Sequence, residues 1–235
     1  EFMKTMQKEG FYNLVQTGEY RMAFRDGYYT RGTTESLISS RRHYRTNNIG
    51  AIMQSARWGA WCATKEYFDM FPMADGSDFD WNNPEHAKNP FINRDPRLTE
   101  TILLDGDKFG SGVADIRKQK ADDKKNYPKG ADIGKSGVYK NRVIHWPYLR
   151  LAEVYLSYAE ALNEVGRTTD AYDYVNKVRA RVGLGALKSG LTKEQFREAV
   201  LRERACEFGY EEVRFFDLIR WKREADFTKR LHGIN

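Results

Sequence analysis

A chain of 235 residues is long enough for one substantial domain or two small ones around a real core. Hydrophobic residues make up 40% and charged residues 31%, and no apolar run is long enough to span a bilayer, so the chain reads as globular. The net charge of +6 comes from Lys and Arg interleaved with Asp and Glu, and no nucleic-acid reader motif accompanies it, which argues against nucleic acid as a partner.

Two cysteines, Cys62 and Cys206, lie far apart and call for neither a disulfide framework nor a metal site. The chain opens on Glu1 and Phe2, and we expect it to be a piece of a longer protein.

In chain order, Phe2, Met3, Met6, Phe11, Leu14 and Val15 fall at near-helical spacing and predict the tail of a helix. From Tyr20 to Trp61 the period is lost in favour of Gly, Thr, Ser, Asn and aromatics, which predicts long loops with one or two short strands. Thr64 is placed to cap a short helix, Lys65 to Phe71, closed by Pro72. A turn-rich loop from Asp75 to Pro90 is expected next. The β-branched and aliphatic residues of Arg97 to Leu104, ending at Asp105-Gly106, predict a strand and a turn. Asp107 to Ile144 reads as loops and a hairpin, with its weakest order around Lys118 to Lys135.

After Trp146 the pattern turns helical. Pro147 suits a first helical turn, and Leu151, Val154, Tyr155, Tyr158, Leu162 and Val165 form a stripe that Gly166 ends. A second helix, Asp170 to Val182, carries Ala171, Tyr172, Val175 and Val178 and stops at Gly183. Thr192 and Gln195 form a capping box that opens a third helix through Phe196, Ala199, Val200 and Phe208. A fourth runs from Val213 to Trp221. The first two read as one tetratricopeptide-type pair, with small Ala159 and Ala171 where the helices cross.

Catalytic constellations are missing: the four His are scattered, and no His-Glu-x-x-His, Gly-x-Ser-x-Gly or phosphate-cradling loop occurs. Glu203 and Glu207 stand four apart like a glycosidase pair, yet Arg202, Arg204, Arg214, Arg179 and Arg181 surround them and favour a structural ion network. Asp75, Asp78 and Asp80 resemble a fragment of a calcium loop without its closing Glu, so a solvated acidic turn is favoured and no metal is expected. Sugar rings stack their C–H faces on flat aromatics, and their hydroxyls need amide, guanidinium or carboxylate partners at the edge. Loop segments supply that combination: Tyr28, Tyr29 and Tyr44 with Arg45, Asn47 and Asn48, then Trp58 and Trp61, then Trp81 with Asn82 and Asn83. By contrast, Tyr155, Tyr158, Phe208, Phe215, Phe216 and Trp221 fall on helical stripes and are expected to pack.

Four stretches, in order, carry a resemblance. They are Thr64-Lys-Glu-Tyr-Phe-Asp-Met-Phe-Pro-Met-Ala-Asp-Gly76, then Asn93-Arg-Asp-Pro-Arg-Leu98, then the pair of runs Arg150 to Gly166 and Val175 to Gly183, then Leu201 to Glu211 with Arg214 to Trp221. Together they resemble the SusD/RagB family, clearly from about Trp58 to Trp221, and the chain looks like the C-terminal portion of such a protein. Ala63 stands where the family usually has Pro. The resemblance implies a mainly α, SusD-like superhelix with a tetratricopeptide-type pair, long loops and a few short strands. It also implies a loop-rich, ligand-facing part over 1–146 and a helical scaffold over 147–235.

Such proteins are surface-exposed lipoproteins of the outer membrane of Bacteroidetes, held by a lipid anchor that would lie outside this chain. They bind an oligosaccharide or a starch-like polysaccharide, in some branches a peptide, and pass it to a TonB-dependent, SusC-like transporter without cofactor or catalysis. Ligand contact comes from aromatic residues on loops. Trp58 and Trp61 therefore lead as ligand-binding residues, with Tyr44, Arg45, Tyr29 and Trp81 beside them. The rival reading is a tetratricopeptide-like scaffold for peptide or protein.

Overall fold

The computed structural model describes residues 12–15, 35–42, 63–102, 104, 108–109, 112–113, 144–209 and 211–233. In chain order these form β1 (Ser36–Arg42), α1 (Lys65–Met70), α2 (Pro84–Lys88), α3 (Pro96–Thr101), β2 (Lys108–Phe109), β3 (Gly112–Val113) and β4 (Ile144–Arg150). Then come α4 (Leu151–Glu164), α5 (Thr168–Arg181), α6 (Lys193–Glu207), α7 (Val213–Arg220) and α8 (Glu224–Phe227). The fold is mainly α, as the sequence predicts, with two small antiparallel sheets, β1–β4 and β2–β3.

Chain stops fall where the sequence places them. Gly166 (φ +81°) and Gly183 (φ +74°) end α4 and α5 in the left-handed region. Arg167 N donates to Leu162 O at 2.8 Å and Leu184 N to Arg179 O at 3.1 Å, which satisfies carbonyls the helices leave open. The capping box is complete: Gln195 N donates to Thr192 Oγ1 at 3.2 Å and Thr192 N to Gln195 Oε1 at 2.9 Å. Thr64 caps α1 through Tyr67 N, and Pro72 follows its end.

Other expectations give way to local chemistry. Where a strand is predicted from Arg97, α3 forms instead. The Asp95 carboxylate accepts Arg97 N and Pro96 holds the first helical position, so the cap outweighs β-branching. Asn83 and Pro84 start α2 inside the expected loop by the same device. Pro147 lies in β4, opposite Ser39, and does not open a helix; α4 begins at Leu151, whose N donates to Glu35 O at 2.8 Å. Tyr12 to Val15 are not helical, and the earlier part of that predicted helix lies outside the described residues. So does the segment Lys118 to Lys135. A hairpin, β2–β3, does form where one is expected.

Two apolar clusters sit on either side of α6. The larger unites Ala152, Leu156, Ala159 and Leu162 of α4, Ala171, Val175 and Val178 of α5, and Phe196, Val200 and Phe208. Ala159 and Ala171 both belong to it, as expected of small residues between close helices. Phe68, Phe71, Leu98, Ile102, Leu104 and Cys206 form the smaller one, and Cys206 is a buried free thiol whose pKa burial pushes up. The α4 stripe is centred one residue away from the predicted one: Val165 is exposed, whereas Ala152, Leu156 and Ala159 are fully buried.

Helix α7 corrects a further expectation. Phe215 and Phe216 are 54% and 63% exposed. The inward face of α7 is led by buried Asp217, which accepts Arg204 Nε and Arg220 Nε, each at 2.8 Å, and this turns the two rings outward.

Candidate functional site

Between the two clusters the helices are joined by charge. Arg97 is fully buried and donates to Asp95 Oδ2 (2.6 Å), Glu203 Oε1 (2.7 Å) and Glu207 Oε2 (2.9 Å). Arg179 takes the other oxygen of Glu203 at 2.8 Å. Arg150, at the end of β4, reaches Glu207 Oε1 (2.5 Å), Glu35 Oε1 (2.7 Å) and Glu211 Oε1 (2.8 Å), and Arg181 also pairs with Glu207. Among the described residues, four guanidinium groups thus face five carboxylates, Asp95, Glu35, Glu203, Glu207 and Glu211.

Burial alone would raise the pKa of Glu207, but Arg181, Arg150 and Arg97 hold it down at about 2. Glu211 moves the other way, pushed up by burial despite Arg150. Every oxygen of Glu203 and Glu207 meets a guanidinium, which is the structural network expected of them. Their partners differ in part from the predicted set. Arg179 and Arg181 belong, joined by Arg97 and Arg150. Arg202 instead pairs with Asp78 and Met70 O, Arg204 with Asp217, and Arg214 donates to Leu201 O.

Of the six predicted ligand-binding residues, Trp58, Trp61, Tyr44, Arg45 and Tyr29 lie outside the described residues; Trp81 is described and is 40% exposed. Its indole N–H donates to Asp69 Oδ1 at 2.8 Å, and Lys65 Nζ lies 4.7 Å from the ring centroid while pairing with Asp69 Oδ2 at 2.5 Å. Phe79 meets Trp81 edge to face at 4.9 Å, and His86 stacks on Phe79 at 5.5 Å. Phe91 and Phe79 both pack on buried Phe68. Arg94 lies beneath, 3.8 Å from the Phe79 centroid, donating to the carbonyls of Pro90, Phe68 and Phe71; burial lowers its pKa to about 10.

An exposed ring held in one orientation has lost its rotamer freedom before a ligand arrives. Asp80, Asn82 and Asn83 flank it in sequence, with Asp80 Oδ1 accepting Asn82 N and Nδ2 and Asn83 capping α2. Nothing in the sequence ties Asp69 to a Trp twelve residues on, so that clamp escapes a reading by spacing.

The acidic turn carries no convergent cage. Asp75 Oδ1 accepts Ser77 N (2.9 Å) and Oγ (2.7 Å), Asp78 pairs with Arg202, and Asp80 Oδ1 accepts Asn82 N (2.8 Å) and Nδ2 (3.0 Å). Among the described residues no three His, Cys, Asp or Glu converge on one point.

The C-terminal segment braces the same helix. Lys65 N donates to His232 O at 2.8 Å, His232 N donates to Glu66 Oε2 at 3.1 Å, and the His232 ring meets Glu66 Oε1 at 2.5 Å. Hydrogen bonding to His232 lowers the Glu66 pKa from 4.5 to about 2. A folded value below the unfolded one means that this contribution is complete above pH 4.5 and is lost as pH falls toward 2. A carbon-detected NMR titration is expected to place Glu66 near pH 2, and His232→Ala is expected to return it toward the ordinary carboxylate range. An unmoved titration in that variant would dissolve the pairing.

A mainly helical frame, a buried ion network and a pinned surface ring define a helical scaffold with an ordered aromatic surface. A model of the SusD family matches residues 21–233, and the chain belongs to that family. SusD-like protein P25 of Formosa agariphila is 42% identical over 94 residues, 39% of this chain and 17% of the relative. A SusD-like protein of Bacteroides ovatus is 36% identical over 107 residues, 43% of this chain and 18% of the relative. The crystal structure of a SusD-like protein from Bacteroides fragilis superposes with a TM-score of 0.73 at 26% identity, covering 99% of this chain and 52% of that one. A second structure from that organism, titled a SusD-like carbohydrate binding protein, gives a TM-score of 0.69 at 22% identity over 93% of this chain and 47% of that one. The chain spans about half the length of these solved relatives, and the matched segments are less than a fifth of the curated ones.

Proposed function

We propose that the chain is part of a glycan-binding protein, taking an oligosaccharide or a starch-like polysaccharide and doing no chemistry on it. The observation that carries this reading is Trp81, exposed yet fixed by Asp69 and Lys65, with a carboxylate and an amide on the residues either side of it in sequence. Family membership supports it, as does a structural relative described as a carbohydrate binding protein. The saturation of Glu203 and Glu207 by guanidinium groups leaves no carboxylate pair there to act as acid and nucleophile on a glycosidic bond. Trp58, Trp61, Tyr44, Arg45 and Tyr29 extend the ligand surface in this reading, and delivery runs to a SusC-like, TonB-dependent transporter at the outer membrane from a lipid-anchored position.

A glycan array followed by chromatography of the incubated ligand tests it. Retention of at least one oligosaccharide with its chain length unchanged is the expected result. Shortened products, or capture of peptides with no glycan, would contradict it and favour a hydrolase or a peptide scaffold respectively.

A further inference from the structure

We propose that the Trp81 surface takes neutral glycan and rejects sulfated or uronate-bearing glycan, with Asp80 as the discriminating residue. This rests on the glycan-binding reading above. An anion laid against Trp81 is best held by a free cation, and Lys65 at the ring, like Arg94 and Arg202 further back, already has partners. Lys65 pairs with Asp69 at 2.5 Å. Arg94 is buried under Phe79 and Phe68 and gives its terminal nitrogens to three backbone carbonyls. Arg202 is held by Asp78 and Met70 O.

The carboxylate next to the ring is differently placed. Asp80 is exposed, and its Oδ1 is fixed by Asn82, while its Oδ2 has no partner among the described residues. That oxygen is a ready acceptor for a sugar hydroxyl and a like charge to a sulfate or uronate. The Nδ1 of His86 accepts Asp80 N at 3.2 Å, which ties that ring to the turn. Glu85, exposed in the first turn of α2 and with no partner for its carboxylate among the described residues, adds to the negative side, and Lys88 one turn later offsets it. A like charge at a half-solvated surface weakens binding by roughly tenfold.

The chain as a whole carries +6, which adds a non-specific attraction to any polyanionic matrix, and the measurement must isolate the Trp81-dependent part. Columns of amylopectin, laminarin and xylan, each paired with its sulfated derivative, would be run at physiological salt with the parent protein, Trp81→Ala and Asp80→Asn. The retention that Trp81→Ala removes is expected on at least one neutral column and to be at least about tenfold weaker on its sulfated partner. Asp80→Asn, which keeps an acceptor for Asn82, is expected to narrow that gap. Trp81-dependent retention equal or stronger on the sulfated column, or a gap unmoved by Asp80→Asn, overturns the selectivity. If Trp81→Ala changes retention on no column, the glycan reading of this surface falls first and the selectivity with it.

Discussion

Replacing Arg97 by Met is expected to destabilise the fold by about 3–5 kcal/mol, because it strips buried Asp95, Glu203 and Glu207 of a shared cation and leaves their charge uncompensated. The surface pair Lys177–Asp173, at 2.6 Å and largely solvated, is the control: Lys177→Met is expected to cost less than about 1 kcal/mol. Urea unfolding followed by circular dichroism separates the two, and an Arg97→Met midpoint close to the parent's would mean that the network is ornamental. The same network sets the acid limb of stability. The pKa of Glu207 is held near 2 against an ordinary 4.5, so its contribution is complete above pH 4.5 and drains away as pH falls toward 2.

Gly185→Ala is expected to cost about 3 kcal/mol or more, since a Cβ there would lie 1.9 Å from Asp75 O, and backbone does not yield as a side chain does. The loop it would displace is tied down by Gly185 N donating to Ala74 O at 3.1 Å and Arg179 Nε donating to Gly185 O at 2.8 Å. Gly183, two residues earlier, makes the comparison informative. It has open space around its Cβ position but a φ of +74°, so Gly183→Ala carries only the left-handed strain of about 1–2 kcal/mol. Thermal unfolding that ranks the two variants equally would contradict the close approach of the Asp75 loop to Gly185.

What the sequence discloses of this fold is what local chemistry decides. The stops at Gly166 and Gly183, the Thr192–Gln195 box and the Thr64 cap are read from residue type and spacing, because each is closed within a few residues. Where two local signals compete, the cap prevails: β-branched residues after Arg97 suggest a strand, yet Asp95-Pro96 starts a helix. Long-range partners are the least legible. Arg97 and Glu203 are 106 residues apart and Arg150 and Glu35 are 115 apart, and no periodicity joins them. The outward turn of Phe215 and Phe216 has the same origin, since it follows from Arg204 drawing Asp217 inward. At the candidate site, the exposed Trp beside amides is visible as composition, whereas its clamp by Asp69 and Lys65 depends on how α1 meets the loop that carries Trp81.

The most direct test of glycan capture at this surface is calorimetric titration of the parent and Trp81→Ala with an oligosaccharide that the parent binds. Loss of a stacking ring is expected to cost about 1.4 kcal/mol, a roughly tenfold weaker affinity, with the unfolding midpoint of the variant close to that of the parent. Equal affinity in the two proteins would contradict the role of Trp81 as a sugar platform and leave the ring as a plug between α1 and its loop.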